Sequence, residues 1–328
     1  MNPGGRRAKA PPQAEARPTR HNRGMGTIDV FMRRIVDYAG LFPPASLSLD
    51  EALREFHNYQ SHPQSGFLGR FVMPLDRLMK VTDSFGQAWT FSGLVRASSL
   101  AIQDARAEID RCAAGLRFFE IKFPRIKTDC IEADLPEGAW NEDDNYRRFR
   151  DFLALLGNHF GAERRIFVEL DWRKPYAPLM AVMAEHNSRF GVKLRTGGIT
   201  PDSIPPSRAV AEFLVAAAGH KLPMKATAGL HVPVPNEDRE TGVCMHGFLN
   251  FFSAGFLAFT GRGGVDDITN VLEDFGYEDF FFGERSMRCG EVEFSSEEIE
   301  RLRGQWLLSF GSCSFLEPIE HLENHGLI

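Results

Sequence analysis

Cationic side chains occur in two stretches of the sequence that otherwise have the composition of buried strands. VKLRTGG, residues 192–198, carries Lys193 and Arg195, and MKATAGL, residues 224–230, carries Lys225. Because alternate side chains of a strand point to the same face, Lys193 and Arg195 should share one face. A lysine amine is a nucleophile only when it is neutral, and burial beside a second cation lowers its pKa. The two lysines therefore indicate Schiff-base chemistry on a carbonyl compound.

Two earlier strand-like runs carry charges at the same spacing. FEIKFP holds Glu120 and Lys122, and VELDWR holds Glu169 and Asp171. Such charges cost several kcal/mol each if they lie unpaired beneath packed helices, but little at the wet mouth of a barrel. We therefore expect the charges of these runs and of VKLRTGG to line one polar pocket. The alternative is a structural network in which the charges only neutralise one another.

The elements that must position these residues form a regular alternation. From residue 29 onward, eight apolar runs rich in β-forming residues are each followed by a helical run. The eight runs span residues 33–42, 69–74, 89–95, 116–124, 164–171, 191–198, 222–233 and 306–315. This pattern predicts an α/β fold, a single (β/α)8 TIM-type barrel. A doubly wound open sheet is the alternative, although no G-x-G-x-x-G follows the first run.

The barrel domain is predicted to span residues 26–328. Residues 263–300 hold more structure than one loop needs, so we take them as a helical or lid-forming insertion before the last strand. Residues 1–25 carry six basic residues, one acidic residue and four prolines, which predicts a disordered basic tail. A targeting peptide and sequence upstream of a true start at Met25 are the alternatives for this tail.

In a barrel of this type, the catalytic groups lie at the carboxyl ends of the strands. The residues predicted to bind substrate there are Asp37, Glu120, Lys122, Asp171, Arg195, Thr196 and Thr227. Glu169 and His231 are the candidates for moving protons. His231 suits this role because it follows a strand directly and because histidine is the residue type that commonly exchanges protons near neutral pH.

The two lysine stretches resemble a pattern of the deoxyribose-phosphate aldolase family, whose members are class I aldolases with a (β/α)8 fold. In that family, a K-T-S-T-G-F-type strand is followed one unit later by a K-A-S-G-G-type strand. The resemblance is limited to the sixth to eighth strands. It implies that Lys193 is the Schiff-base nucleophile and that Lys225 tunes its pKa.

The same resemblance implies an anion site at the ends of the last two strands. It assigns Gly229, Gly311 and Ser312 to the turns that hold a substrate phosphate. The sequence departs from the family at Lys122, where the family has an aspartate, and at Arg195, where it has a small residue. These departures leave the identity of the substrate open.

Composition argues against several classes of partner. The net charge of −6 does not favour a nucleic-acid surface. The apolar run 247–259 is shorter than the roughly 20 residues that span a bilayer, so no membrane partner is expected.

The five cysteines include no C-x-x-C pair, which favours free thiols and a cytoplasmic location. The aromatic run 279–283 is a candidate lid or a contact in a homo-oligomer.

These observations lead to three functional hypotheses. The first is a class I aldolase or lyase for a small anionic carbonyl compound, with or without a phosphate group. The second is a metal-dependent barrel hydrolase, lyase or isomerase that uses Glu169, Asp171, His231 and His246. No H-x-H or H-E-x-x-H spacing supports this second hypothesis, so we expect no metal and no other cofactor. The third is a non-catalytic ligand-binding barrel.

Overall fold

A computed structural model of the chain describes residues 26–82, 88–186, 189–198, 200–237 and 242–328. The predicted basic tail, residues 1–25, lies outside this part of the chain. The strands are β1 (Val36–Tyr38), β2 (Leu68–Pro74), β3 (Trp89–Val95), β4 (Ile126–Asp134), β5 (Arg165–Glu169), β6 (Phe190–Arg195), β7 (Met224–Thr227), β8 (Asn236–Glu237), β9 (Cys244–Met245), β10 (Phe280–Phe282), β11 (Ser286–Cys289), β12 (Val292–Ser295) and β13 (Leu307–Ser312). The α-helices are α1 (Thr27–Met32), α2 (Leu49–Tyr59), α3 (Ile102–Lys122), α4 (Asp143–Phe160), α5 (Tyr176–Ala184), α6 (Ser207–Gly219), α7 (Phe248–Thr260), α8 (Val265–Asp274), α9 (Ser296–Gln305) and α10 (Leu316–Asn324).

Eight parallel strands close into a barrel, which confirms the predicted (β/α)8 fold. β1 to β7 follow one another around the barrel, and β13 pairs with both β7 and β1. The strands are buried almost continuously because helices cover the outside of the barrel, as is usual for parallel sheets. Among the described residues, an α-helix follows every barrel strand except β2, which a 3₁₀ helix follows at Leu75–Lys80.

The fourth strand is the one that sequence reasoning placed wrongly. The run 116–124, predicted as a strand, is the last part of α3 and the turn after it. Its apolar residues follow a helical period, because Leu116 and Phe119 are buried while Phe118 and Ile121 are exposed. The true β4 is IKTDCIEAD, whose polar residues had the composition of a loop. As a consequence, Glu120 and Lys122 lie on a helix and not on a strand of the barrel.

The segment 263–300, predicted to be inserted before the last strand, contains α8, the three-stranded antiparallel sheet β10–β12 and part of α9. This sheet contacts α1, because Thr27 Oγ1 donates a hydrogen bond of 2.9 Å to the carbonyl oxygen of Ser286. Since α1 leads into the start of β1, the sheet lies near the end of the barrel at which β1 begins. Phe281 of the aromatic run 279–283 is exposed there.

The apolar run 247–259 forms most of α7, which is buried along most of its length. Within the described ranges, no helix is long and apolar enough to cross a membrane. The helix packs against the barrel through Phe248 and Phe252, whose rings contact Phe310 of β13. It therefore belongs to the core of the barrel domain.

Candidate active site

Eight charged side chains of alternating sign form a continuous series through the interior of the barrel, which we call the charge chain. Its members, in order of contact, are Asp129, Arg70, Asp37, Lys225, Glu132, Lys193, Glu169 and Arg195. β4 is not a neighbour of β1, β6 or β7 in the sheet, so its contacts with them cross the barrel interior. Of the charges that the structural alternative pairs with one another, the series contains Lys193, Glu169 and Arg195.

Lys193 lies between Glu132 and Glu169 in the charge chain. Its Nζ lies 2.9 Å from Glu132 Oε2 and 3.0 Å from Glu169 Oε2. The side chain is only 4% exposed. Burial alone would lower the pKa of Lys193, but the two carboxylates outweigh burial and raise it. The resting amine is therefore an ammonium group, whereas the sequence analysis expected a lowered pKa.

Lys225 lies beside Lys193 on the next strand, in direct register with it. Its Nζ contacts Asp37 Oδ2 at 2.7 Å and Glu132 Oε1 at 2.5 Å. Burial would lower the pKa of Lys225, but these carboxylates raise it. The two lysines thus bind opposite oxygens of the Glu132 carboxylate, which separates their charges. Both lysines therefore share Glu132 as a counter-ion.

Glu132 joins the two lysines and was missed by the sequence analysis. Burial would raise its pKa, but Lys193 and Lys225 outweigh burial and hold the pKa far below its ordinary range. Ser92 Oγ donates a further hydrogen bond of 2.6 Å to Glu132 Oε1. In CIEAD, Glu132 stands between the apolar residues Ile131 and Ala133. This alternation of apolar and charged residues is the signal in the sequence that indicates a strand. The polar and acidic residues around it obscure this signal.

Asp37 is the second carboxylate that contacts Lys225. Its Oδ2 accepts a hydrogen bond of 2.7 Å from Ser309 Oγ, and its Oδ1 accepts one of 2.7 Å from the backbone N–H of Arg70. The close approach of β2 requires a glycine, because a Cβ at Gly69 would overlap the Asp37 carboxylate. Arg70 continues the charge chain to Asp129 at 2.6 Å. Asp37, predicted as a substrate ligand, thus lies below the mouth as a partner of Lys225.

A pocket of about 370 Å³, here called the mouth pocket, opens at the carboxyl ends of β4, β5 and β6. Residues that line it include Asp134, Trp140, Glu169, Asp171, Trp172, Lys174 and Arg195. Glu169 connects the pocket with the interior, because its Oε1 contacts Arg195 Nε at 2.9 Å and its Oε2 contacts Lys193. Burial would raise the pKa of Glu169, but these two cations lower it.

Arg195 is the member of the charge chain most open to the mouth pocket. Its side chain is 49% exposed, and the only hydrogen bond described for it uses Nε. A guanidinium group offers several donors in a fixed planar arrangement, which suits a carboxylate or phosphate. Asp171, also predicted to bind substrate, lines the pocket but pairs with Arg173 at 2.9 Å.

The turns after β6 and β7 pack tightly together. Thr196 Oγ1 donates a hydrogen bond of 2.5 Å to the carbonyl oxygen of Ala228, and a Cβ at Gly197 would lie 2.7 Å from Gly229 Cα. Gly229 has a φ of +80°, which favours glycine. Thr227 pairs with Gly311 across β7 and β13. The residues that the sequence analysis assigned to phosphate binding therefore lie at the carboxyl ends of the strands, but outside the lining of the mouth pocket.

His231 belongs to a separate cluster on the same side of the barrel. Its Nδ1 lies 2.9 Å from Glu317 Oε2 and 3.4 Å from Ser312 Oγ. The contact with His231 lowers the pKa of Glu317. Both neighbours approach the same ring nitrogen, so the arrangement is not the relay of a serine nucleophile, in which the two partners use different nitrogens.

Two predicted substrate ligands lie outside the site. Glu120 pairs with Arg164 Nη2 at 2.8 Å on the outer side of the barrel. Lys122 is exposed at the end of α3, with its Nζ 4.8 Å from the centre of the Phe123 ring. Both residues belong to α3, a helix that packs outside the barrel, because the fourth strand of the barrel is the segment that follows this helix.

The four residues of the metal hypothesis do not converge. Glu169 binds Lys193 and Arg195, and His231 binds Glu317. His246 is buried elsewhere, with its Nε2 2.7 Å from the carbonyl oxygen of Pro205. Among the residues that the structure describes, no group of three or more His, Cys, Asp and Glu side chains has the arrangement of a metal site.

Comparison with known proteins gives no family for this chain. No family model matches the sequence, and no curated protein matches it. The resemblance to the deoxyribose-phosphate aldolase family therefore stays a prediction. The assignment of a function depends on the geometry of the charge chain and the mouth pocket.

Proposed function

We propose that this chain is a (β/α)8 enzyme of the class I aldolase or lyase type, in which Lys193 forms a Schiff base with a small anionic carbonyl compound. The observation that carries the proposal is the position of Lys193 directly behind Glu169, at 3.0 Å, where Glu169 lines the mouth pocket. A shift of the Glu169 side chain is then sufficient to bring a substrate carbonyl to the amine.

The anionic group of the substrate has a partner in Arg195. An anion bound to this guanidinium competes with Glu169, which is only 2.9 Å from Arg195 Nε. Loss of this cation raises the pKa of Glu169, because Arg195 is one of the two charges that lower it. Glu169 then becomes a better proton acceptor for Lys193. Substrate binding therefore prepares the amine that the resting network keeps protonated.

The chemical step balances within this set of groups. Glu169 accepts one proton from the ammonium of Lys193, and the neutral amine nitrogen bonds to the carbonyl carbon. The carbonyl oxygen leaves as water with that proton and a second one from nitrogen, giving a cationic imine. Glu132 remains ionised and stabilises the imine charge from 2.9 Å. Glu169, ionised again, then accepts the proton of the substrate hydroxyl group, whose carbon leaves as a carbonyl, and the imine accepts the electron pair of the broken carbon–carbon bond and becomes an enamine. Lys225 positions Glu132 for this purpose.

Borohydride trapping tests the proposal. The protein is incubated with glyoxylate, pyruvate or dihydroxyacetone phosphate, reduced, digested and analysed by peptide mass spectrometry. We expect a stable adduct on Lys193 with at least one compound. Lys193→Arg should remove it, because arginine keeps the cation but not the primary amine, while the exposed Lys122→Gln control should retain it. An adduct on Lys174 alone, or none on Lys193 across the panel, would contradict the proposal.

The raised pKa of Lys193 favours a second candidate without a covalent intermediate. In this reaction Glu169 removes a proton next to the substrate carbonyl, and the Lys193 ammonium stabilises the resulting enolate. We then expect the same compounds to exchange their α-protons in D₂O, followed by proton NMR, without a trapped adduct. Glu169→Gln should abolish the exchange. Exchange that survives in this variant would contradict Glu169 as the base.

A further inference from the structure

The mouth pocket combines a charged side with an aromatic side. On the charged side, Arg195 at the end of β6 contacts Glu169 at 2.9 Å through its Nε. The aromatic side includes Trp140, in the loop after β4, and Trp172, in the loop after β5. Because β5 lies between β4 and β6 in the barrel, Arg195 and Trp140 approach the pocket from opposite sides of β5.

Both tryptophans are held in place by their loops. The backbone N–H of Glu137 donates a hydrogen bond of 2.9 Å to the carbonyl oxygen of Leu100, which ties the loop after β4 to the segment after β3. The backbone N–H of Arg173 donates a hydrogen bond of 3.0 Å to Asp171 Oδ1, which closes a turn around Trp172. Both rings are half-buried and pack against the hydrophobic core. A bound group therefore meets a preformed apolar surface, which lowers the entropy cost of binding.

The charges beside the tryptophans offer little to a second charged group of a ligand. Asp171 already accepts hydrogen bonds of 2.9 Å and 3.0 Å from the guanidinium group of Arg173. Lys174 Nζ lies 5.1 Å from the centre of the Trp140 ring, and its side chain is exposed. An exposed ammonium group contributes little to binding an anion, because water screens its charge and its long side chain must be ordered. The fixed rings are therefore the main binding surface on this side.

The pocket is larger than the smallest keto acids require. Its volume is about 370 Å³. Pyruvate takes up about 100 Å³, the space of about three or four water molecules at roughly 30 Å³ each. A group of the size of a phenyl ring fits in addition to the keto acid, and the aromatic side of the pocket is where it would be buried.

We propose that the substrate is a 2-keto acid whose carbon chain carries a flat apolar group, such as a phenyl ring. Its carboxylate binds Arg195, and its ring packs against Trp140 and Trp172 in an offset or edge-on arrangement. This inference rests on the proposed function, which has the carbonyl carbon at Lys193. It makes an apolar ring, and not a second anionic group, the feature that the pocket recognises.

Ligands without a carbonyl group test the pocket apart from the reaction. Lactate, malate and 3-phenyllactate share a 2-hydroxy carboxylate and form no imine. We expect calorimetry on the full chain to give 3-phenyllactate at least tenfold higher affinity than lactate or malate, since burial of the ring removes apolar surface from water. Equal affinities of lactate and 3-phenyllactate, or tighter binding of malate, would overturn the inference.

Matched variants locate the ring. Trp140→Leu and Trp172→Leu should each reduce the preference for 3-phenyllactate over lactate at least threefold. Trp306→Leu changes a ring that stacks on Phe259 just before β13, outside the pocket, and should keep the parent preference. Arg195→Gln should weaken both ligands alike, because both lose the partner of their carboxylate. A preference that survives in both pocket variants, or is lost equally in Trp306→Leu, would contradict the assignment.

Borohydride trapping separates a failure of this inference from a failure of the proposed function. An adduct of pyruvate on Lys193, together with equal affinities of lactate and 3-phenyllactate, would refute the ring site alone. A clear preference for 3-phenyllactate, with no adduct on Lys193 from pyruvate or phenylpyruvate, would refute the Schiff base and support the ring site.

Discussion

Replacing Glu132 by glutamine should destabilise the protein by about 3 to 5 kcal/mol, the usual cost of removing one partner from a buried ion pair. Glu132 is 4% exposed and binds the ammonium groups of Lys193 and Lys225 through different oxygens. Glutamine preserves the shape but removes the negative charge between them. Each lysine then retains a single carboxylate, and the interior of the barrel carries one uncompensated positive charge.

Urea denaturation followed by circular dichroism measures this loss. The matched control is Glu185→Gln, because Glu185 also pairs with a cation, Arg150 at 2.9 Å, but on the exposed surface. A pair of this kind contributes about 0 to 1 kcal/mol. A Glu132→Gln variant within about 1 kcal/mol of the parent would show that the charge chain is not under this electrostatic constraint.

Acid should destabilise the protein through the same carboxylates. The pKa values of Glu132 and Glu169 are lowered in the folded state, from an ordinary value of 4.5. Below that ordinary value the unfolded chain binds more protons than the folded chain, so stability decreases as the pH falls. The stabilisation is fully present above pH 4.5 and is lost as the pH falls through the lowered folded pKa values.

The alkaline limb has the opposite sign. The pKa values of Lys193 and Lys225 are raised from 10.5, so their contribution is complete below pH 10.5 and is lost as the pH rises through the folded values. Urea midpoints measured from neutral to acid pH test the acid limb. Glu169→Gln should give a shallower decline than the parent, whereas Glu300→Gln, at an exposed pair with Arg33, should keep the parent slope. Equal slopes in all three proteins would refute the assignment.

The sequence was sufficient to predict the barrel and its lysine pair, for a physical reason. Lys193 and Lys225 stand in short apolar runs, where a charge is costly and therefore noticeable. Parallel strands in adjacent βα units also have a predictable neighbourhood, and the two lysines are direct register partners. Their function, in contrast, depends on which anions face them across the barrel. That information is not local in the sequence.

Glu132 and Arg70 show why the rest of the site was out of reach. Glu132 follows Lys127, Thr128 and Asp129, so its strand has the composition of a loop. Only the closed sheet reveals that alternate residues of this strand enter the interior. Arg70 is an ordinary charge near the start of β2 until the barrel brings Asp37 and Asp129 to it. Pairings across the interior, unlike those between neighbouring strands, follow no sequence spacing.

The closure of the barrel by β1 and β13 has a consequence for how the chain folds. Val36 pairs with Phe310, so the first strand acquires this neighbour only after the intervening βα units have been synthesised. Pairing between residues so far apart carries a large loop-closure entropy and is slow. Until then Asp37 lacks Ser309, and one edge of β1 is open to strands of other chains. The nascent chain, more than the folded barrel, is thus the form of this protein exposed to aggregation.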